Sequence, residues 1–219
     1  MKPIKILNLY ACLGGNRYKW DEVADIEVTA VELDEELAKL YQERFPKDKV
    51  IVADAHEYLR ENYEGFDFIW SSPCCPTHSK LQLAWKNIKR RNFHMPYPDM
   101  KLYQEILLLK HYFKGKYCVE NVIPFYDPLI PGKKRCRHLY WTNFNLPSNL
   151  NERKSPKNFA TGNVKILGEF HNYDFTKYKG NQRVDVIAKD LVDYEAGKTI
   201  LEIALGIIKD NNKEQIKLF

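Results

Sequence analysis

A chain of 219 residues, 44% of them hydrophobic, can bury one medium-sized core but is short for several domains. Its net charge of +5 permits a polyanionic partner without requiring one. Five scattered cysteines do not read as a disulfide framework, no window reaches eighteen apolar residues, and the start lacks an apolar leader. A soluble, cytoplasmic, monomeric protein with no membrane partner is therefore expected.

Ile4–Tyr10 reads as a first strand running into Ala11-Cys12-Leu13-Gly14-Gly15, where two glycines allow a tight turn and close approach of a ligand. A helix is predicted across Tyr18–Ala24. The next strand, Ile26–Leu33, carries Glu32 at its carboxyl end, about 20 residues past the turn, where an acid commonly meets a ribose hydroxyl pair. Asp34 then caps a helix through Phe45, with Leu37, Leu40, Tyr41 and Phe45 on one face and Pro46 as the stop. A third strand, Val50–Val52, leads to Asp54, placed to accept from an adenine amino group. A glycine turn and two acids, each at a strand end, lay out a nucleoside pocket. No Walker lysine and no G-x-G-x-x-G accompanies them, so the predicted ligand is an adenosyl group without pyrophosphate, namely S-adenosylmethionine (SAM).

Phe66–Ser79 (FDFIWSSPCCPTHS) starts as a buried strand of a parallel sheet and ends in a loop stiffened by Pro73 and Pro76. Cys74 and Cys75 lie between those prolines, either as a nucleophile mount or as a buried structural pair. A zinc site from Cys74, Cys75 and His78 has no fourth ligand at suitable spacing, and no metal is predicted. Lys80–Pro98 mixes Lys80, Lys86, Arg90 and Arg91 with Trp85, Phe93 and Tyr97, a pattern that suits a polynucleotide backbone or a solvated face. Asp99 caps a helix through Phe113. Lys116–Val119 is a fifth strand with Glu120-Asn121-Val122 beyond its end. Lys133–Phe144, if extended, sends Arg135 and Arg137 to one side. Leu146–Asp185 is polar, and Ile187–Ile208 returns to a helical stripe.

In order, these runs resemble the DNA cytosine-5 methyltransferases. Asn8–Gly15 matches the family's D-L-F-A-G-x-G-G, Ser71–Ser79 its G-G-P-P-C-Q-x-F-S, Glu120-Asn121-Val122 its E-N-V, and Arg135-Cys136-Arg137 its R-x-R. The R-C-R-H-L-Y-W run is also similar to the mammalian de novo branch. Departures are Asn8 for the acid, Cys12 for the first glycine, Cys74 for proline, Pro76 for glutamine and Lys133 for glutamine.

The resemblance implies an α/β fold, a Rossmann-like SAM-dependent methyltransferase sheet with helices on both faces and a very small target-recognition segment. Residues 1–144 would form the catalytic domain and 145–185 a reduced recognition segment or a connection. Residues 186–219 would form a C-terminal helix packing back on the catalytic domain. The closing G-N-x-V motif has two candidates, Gly180–Val184 and Asp190-Leu191-Val192.

Motif register selects Cys75 as nucleophile, since Ser79 follows it by four residues as in the family. Glu120 would protonate the ring and grip its amine, and Arg137, with Arg135 behind it, would hold the pyrimidine oxygen. The arginines are expected to help ionise Cys75. Tyr10, Ala11, Cys12, Leu13, Gly14, Gly15, Glu32, Leu33, Asp54, Ala55 and Pro73 are the implied SAM contacts. Ser79, Lys80, Lys86, Arg90 and Arg91 are the implied contacts to double-stranded DNA. Alternatives are a catalytically dead nucleic-acid-binding relative, an amino-methyltransferase, and action on RNA cytosine.

Overall fold

A computed structural model describes residues 2–80, 97–157 and 162–208. Seven strands form one mixed sheet: β1 (Ile4–Leu9), β2 (Ile26–Glu32), β3 (Lys49–Val52), β4 (Phe68–Ser71), β5 (Lys116–Val122), β6 (Lys133–Arg135) and β7 (His138–Thr142). Their order is β3-β2-β1-β4-β5-β7-β6, the first five parallel, with β7 antiparallel to both β5 and β6. The order reverses between β1 and β4, so the carboxyl ends of those strands open the crevice where α/β sheets take ligands.

Alternation along the central strands supplies two apolar faces. Leu7, Leu9, Ile69 and Val119 point to one side, under α2 (Ala55–Asn62) and α3 (Lys101–His111), whose Leu59, Leu102, Ile106 and Leu109 are buried there. Ile6, Val28, Phe68, Trp70 and Cys118 point to the other, against Trp20 and α6 (Tyr194–Ala204) with its Ile200 and Leu201. Each such large side chain contributes about 1.5–3 kcal/mol on burial, which is why the central strands hold the crevice rigid. α1 (Glu35–Arg44) starts where predicted, with the Asp34 carboxylate accepting from the Glu36 and Leu37 amides.

Four expectations are revised. The segment after the glycine turn forms only a 3-10 turn, Trp20–Glu22, in place of a helix over Tyr18–Ala24. Trp20 is fully buried with its indole N–H on the Gly197 carbonyl, and Arg17 is bound to Asp21 and Asp48, so side-chain anchors set this backbone. β5 continues through Val122, because β7 pairs with it that far, and Glu120 stands within the strand opposite Tyr140. Lys133–Phe144 is not one extended run: Cys136, at φ 44°, turns it into the hairpin β6–β7. The 146–185 stretch carries α4 (Val164–His171), and its Leu146, Leu150, Leu167, Phe175 and Tyr178 are buried. Leu167, Phe175 and Tyr178, with Ile187 of α5 (Val184–Asp190), pack on Leu13, Leu37 and Leu40 beside the glycine turn.

Candidate active site

The turn after β1 is held from several sides. Tyr10, Cys12 and Gly14 all have positive φ, at 55°, 47° and 67°. Cys12 thus keeps the left-handed backbone natural to the glycine of the resembling motif. The Asn16 amide donates to the Asn8 side chain at 2.8 Å, tying the two ends of the turn with neutral groups. Arg44 of α1 donates to the Leu13 carbonyl, and the Cys12 amide donates to Glu32 Oε2 at 2.7 Å. Glu32 also accepts from the Leu33 and Asp34 amides, and burial raises its pKa. Leu33, beside it at the end of β2, is 68% exposed. Asp54 caps α2 through Oδ1, while Oδ2 pairs with Lys101 at 2.9 Å.

An exposed apolar side chain between two strand-end carboxylates is a donor set that fits an adenosyl group. Glu32 Oε2 and Asp54 Oδ2, each with one donor so far, can take a further N–H or O–H. Ala11 and Ala55 are buried around this pocket.

The second loop at the crevice follows β4 and is fastened at both ends. Asn121 Nδ2 donates to the Pro73 carbonyl at 2.9 Å, and the Asp99 amide donates to Thr77 Oγ1 at 3.0 Å. The Cys75 carbonyl accepts from the His78 and Ser79 amides, closing one turn. His78 is buried, with Nδ1 2.5 Å from the Tyr126 hydroxyl, and Ser79 forms a β-bridge with Pro124. Asn121 and His78 therefore bind the cysteine loop to the segment that carries Glu120. Among the described residues no group of three His, Cys, Asp or Glu side chains is arranged to hold a metal ion.

The two thiols face different neighbours. Cys74 is exposed, and the charges acting on it are Asp99, Glu32, Asp190 and Lys101, the cofactor side. Cys75 is half-buried and acted on by Asp190, Glu120 and Cys74. Burial first, then these two carboxylates, push the Cys75 thiol up to about 12. The expected help from arginine is not among the leading influences, and the reason is visible in the hairpin. Arg135 spends its guanidinium on the carbonyls of Pro147, Leu146 and Lys134. Arg137 lies exposed at the turn, its carbonyl accepting from Ile123. The side chain that the sheet sets beside buried Glu120 is His138, with Nε2 3.5 Å from Oε1.

Several contributors were not singled out from sequence. Glu105 of α3 is completely buried and accepts from Tyr10 (2.6 Å) and Ser71 (2.5 Å), with His56 Nδ1 at 3.1 Å. It joins the ends of β1 and β4 to the start of α2; a glutamate at a core-facing helix position was the available signal. Asp190 lies close enough to Cys12, Cys74 and Cys75 to influence them, and burial, then Glu120, raises its own pKa to about 6. Of the two candidates for the closing motif, Asp190-Leu191-Val192 lies against the glycine turn, a Cβ on Gly15 standing 2.5 Å from the Val192 carbonyl. Of the implied nucleic-acid contacts, Ser79 and exposed Lys80 flank the cysteine loop. Lys86, Arg90 and Arg91 lie outside the described residues.

Strand order, crevice and donor set together define an α/β SAM-dependent methyltransferase. Residues 4–100 match the model of the C-5 cytosine-specific DNA methylases, so this segment is similar to that family. In fold it is similar to the Entamoeba histolytica methyltransferase EhMeth, at 10% identity and a TM-score of 0.51, covering 96% of this chain and 100% of that one. It also aligns with a mutant DNMT2 of Spodoptera frugiperda, at 22% identity over 57% of this chain and 38% of that one, TM-score 0.39. A SAM-dependent methyltransferase of Agrobacterium tumefaciens aligns at 14% identity over 57% and 40%, TM-score 0.41. No curated protein matches the sequence. No helix among the described residues is long and apolar enough to cross a membrane.

Proposed function

We propose that the chain methylates C5 of a flipped-out cytosine in double-stranded DNA through a covalent adduct on Cys75. The observation that supports this reading is that Cys75, in the loop after β4, lies within electrostatic reach of Glu120 on the neighbouring β5, with Asn121 fastening that loop to β5 through the Pro73 carbonyl. SAM, held by Glu32, Leu33 and Asp54 above that turn, would supply an electrophilic methyl group.

Cytosine C5 is a poor nucleophile until C6 is attacked. Addition of the Cys75 thiolate forms the S–C6 bond, breaks the C5–C6 π bond and moves electron density to N3 and O2. Glu120, in its acid form, gives a proton to N3 and leaves C5 an enamine carbon. Methyl transfer to C5 would leave the donor as a neutral thioether; the C5 proton then passes to solvent water, its electron pair re-forms the C5–C6 double bond and expels the Cys75 thiolate, and N3 returns its proton to Glu120. Asn121 keeps the two reacting loops in register through Pro73. A stacked base cannot reach this cleft, so the target nucleotide must leave the duplex, with Ser79 and Lys80 at the rim for its backbone.

The test is incubation with SAM and a duplex carrying 5-fluorocytosine, where fluorine blocks the final elimination. A protein–DNA adduct that survives denaturation is expected from the native chain and from Cys74→Ser, and none from Cys75→Ser. An adduct that persists in Cys75→Ser would refute the assignment.

A further inference from the structure

We propose that His138 is a catalytic residue that contacts the pyrimidine, donating from Nε2 to its O2 while Glu120 takes N3 and the amino group. This inference rests on the cytosine reading above and names the group that completes that site.

Three observations carry it. First, strand register aligns the residue with the acid. In the antiparallel pair β5–β7, Glu120 faces Tyr140 and Val122 faces His138, so Glu120 and His138 project from the same side of the sheet, one step apart. Their side chains meet at Nε2···Oε1 3.5 Å. That is longer than a good hydrogen bond, and catalytic contacts of this kind tighten only with the reacting group between them. O2 and N3 are adjacent ring atoms, so two neighbouring donors suit them.

Second, the imidazole has its other nitrogen committed to the interior. Nδ1 is buried with no hydrogen-bond partner, while the ring packs edge-on to Tyr140 at 6.3 Å between centroids. A ring nitrogen with no acceptor is better left without a proton, which puts an N–H on Nε2, the nitrogen beside Glu120.

Third, Arg135, expected to support this contact, is turned away. Its position opposite His138 puts it on the same face, but its guanidinium is taken up by backbone carbonyls of Lys134, Leu146 and Pro147. The turn at Cys136 puts Arg137 at the hairpin tip, and the next residue, His138, opens the strand beside the acid.

When the thiolate adds to C6, negative charge grows on O2 as well as N3, and a donor fixed at O2 lowers the barrier to that step. Single-turnover adduct formation on the 5-fluorocytosine duplex reads it directly. His138→Ala should slow adduct formation about 10²-fold, the usual effect of removing one such donor. Affinity for unmodified duplex and the unfolding midpoint should stay within about twofold and 2 °C. His138→Gln, which retains an N–H donor on a side chain of similar reach, should recover at least tenfold of the loss. Adduct formation by His138→Ala within about threefold of the native rate, with Cys75→Ser inactive, overturns the inference and leaves the cytosine reading standing. Equal defects in the Ala and Gln variants also overturn it. Failure of the native chain to form any adduct refutes the cytosine reading, and this inference with it.

Discussion

Glu105 is the buried group whose removal has the most calculable effect. Oε1 accepts the Tyr10 hydroxyl at 2.6 Å and lies 3.1 Å from His56 Nδ1, and Oε2 accepts the Ser71 hydroxyl at 2.5 Å. Burial and the neighbouring carboxylate hold the Tyr10 phenol far above its ordinary range, so it remains a donor. Glu105→Ala strands these three donors away from water and leaves a cavity. Stranding one costs about 1–3 kcal/mol; because they share one acceptor the costs do not simply add, and about 3–5 kcal/mol is expected. Glu105→Gln retains a carbonyl oxygen for Tyr10 and His56, and the Ser71 hydroxyl can rotate to accept from the new amide, so about 1 kcal/mol is expected. Urea unfolding at constant slope measures both. A cost for Glu105→Ala below about 1 kcal/mol, or equal costs for the two variants, would refute the view that this carboxylate joins the crevice loops.

Two further outcomes follow from the same geometry. Alkylation of Cys75 by iodoacetamide, followed by peptide mapping, should rise about tenfold per pH unit between pH 8 and 10, because the thiol is pushed up to about 12; a plateau near pH 9 would contradict this. Asp190→Asn removes the carboxylate that acts most strongly on that thiol and should speed alkylation at fixed pH. Its own pKa is raised from 3.8 to about 6, so the folded state binds the proton more tightly and its stabilising effect is lost as pH climbs through that window. Asp190→Asn should therefore gain stability over the native chain at pH 7 but not at pH 3.5. Gly15→Ala puts a Cβ 2.5 Å from the Val192 carbonyl and should lower both the unfolding midpoint and SAM affinity in calorimetry; an unchanged affinity would separate the turn from the closing segment.

What sequence could reveal here depended on whether one local rule decided the outcome. The parallel core was legible because apolar runs such as Ile4–Leu9 and Phe68–Ser71 sit between glycine, proline and polar breaks. The Asp34 cap was legible for the same reason. Cys75 and Glu120 were placed by motif register; in the structure they stand on the neighbouring β4 and β5 connections, with the Glu120 charge acting on the Cys75 thiol. The misses are tertiary. No local pattern shows that Trp20 must plug the underside of the sheet, or that Arg135 will meet carbonyls eleven and twelve residues onward. α2 was missed because its eight residues bury only Ala55, His56 and Leu59, too few for a helical stripe to stand out. The R-C-R run was misread because a left-handed Cys136 is uncommon, and shifting the turn by one residue moves every following side chain to the other face.

The electrostatics of the cleft bear on how the proposed nucleophile would be controlled. An arginine beside Cys75 would give a thiolate at all times, open to oxidation. After burial, the charges acting on the thiol are instead two carboxylates, Asp190 and then Glu120, and both push it up. On the proposed reaction, both charges are offset only by ligands: a sulfonium cation arriving near Asp190, and a pyrimidine whose N3 keeps a proton shared with Glu120. Each offset favours the ionised thiol by the same Coulomb effect that suppresses it in the free chain. On this proposal the nucleophile stays a thiol until cofactor and base are both seated, a dependence that an arginine beside it would remove.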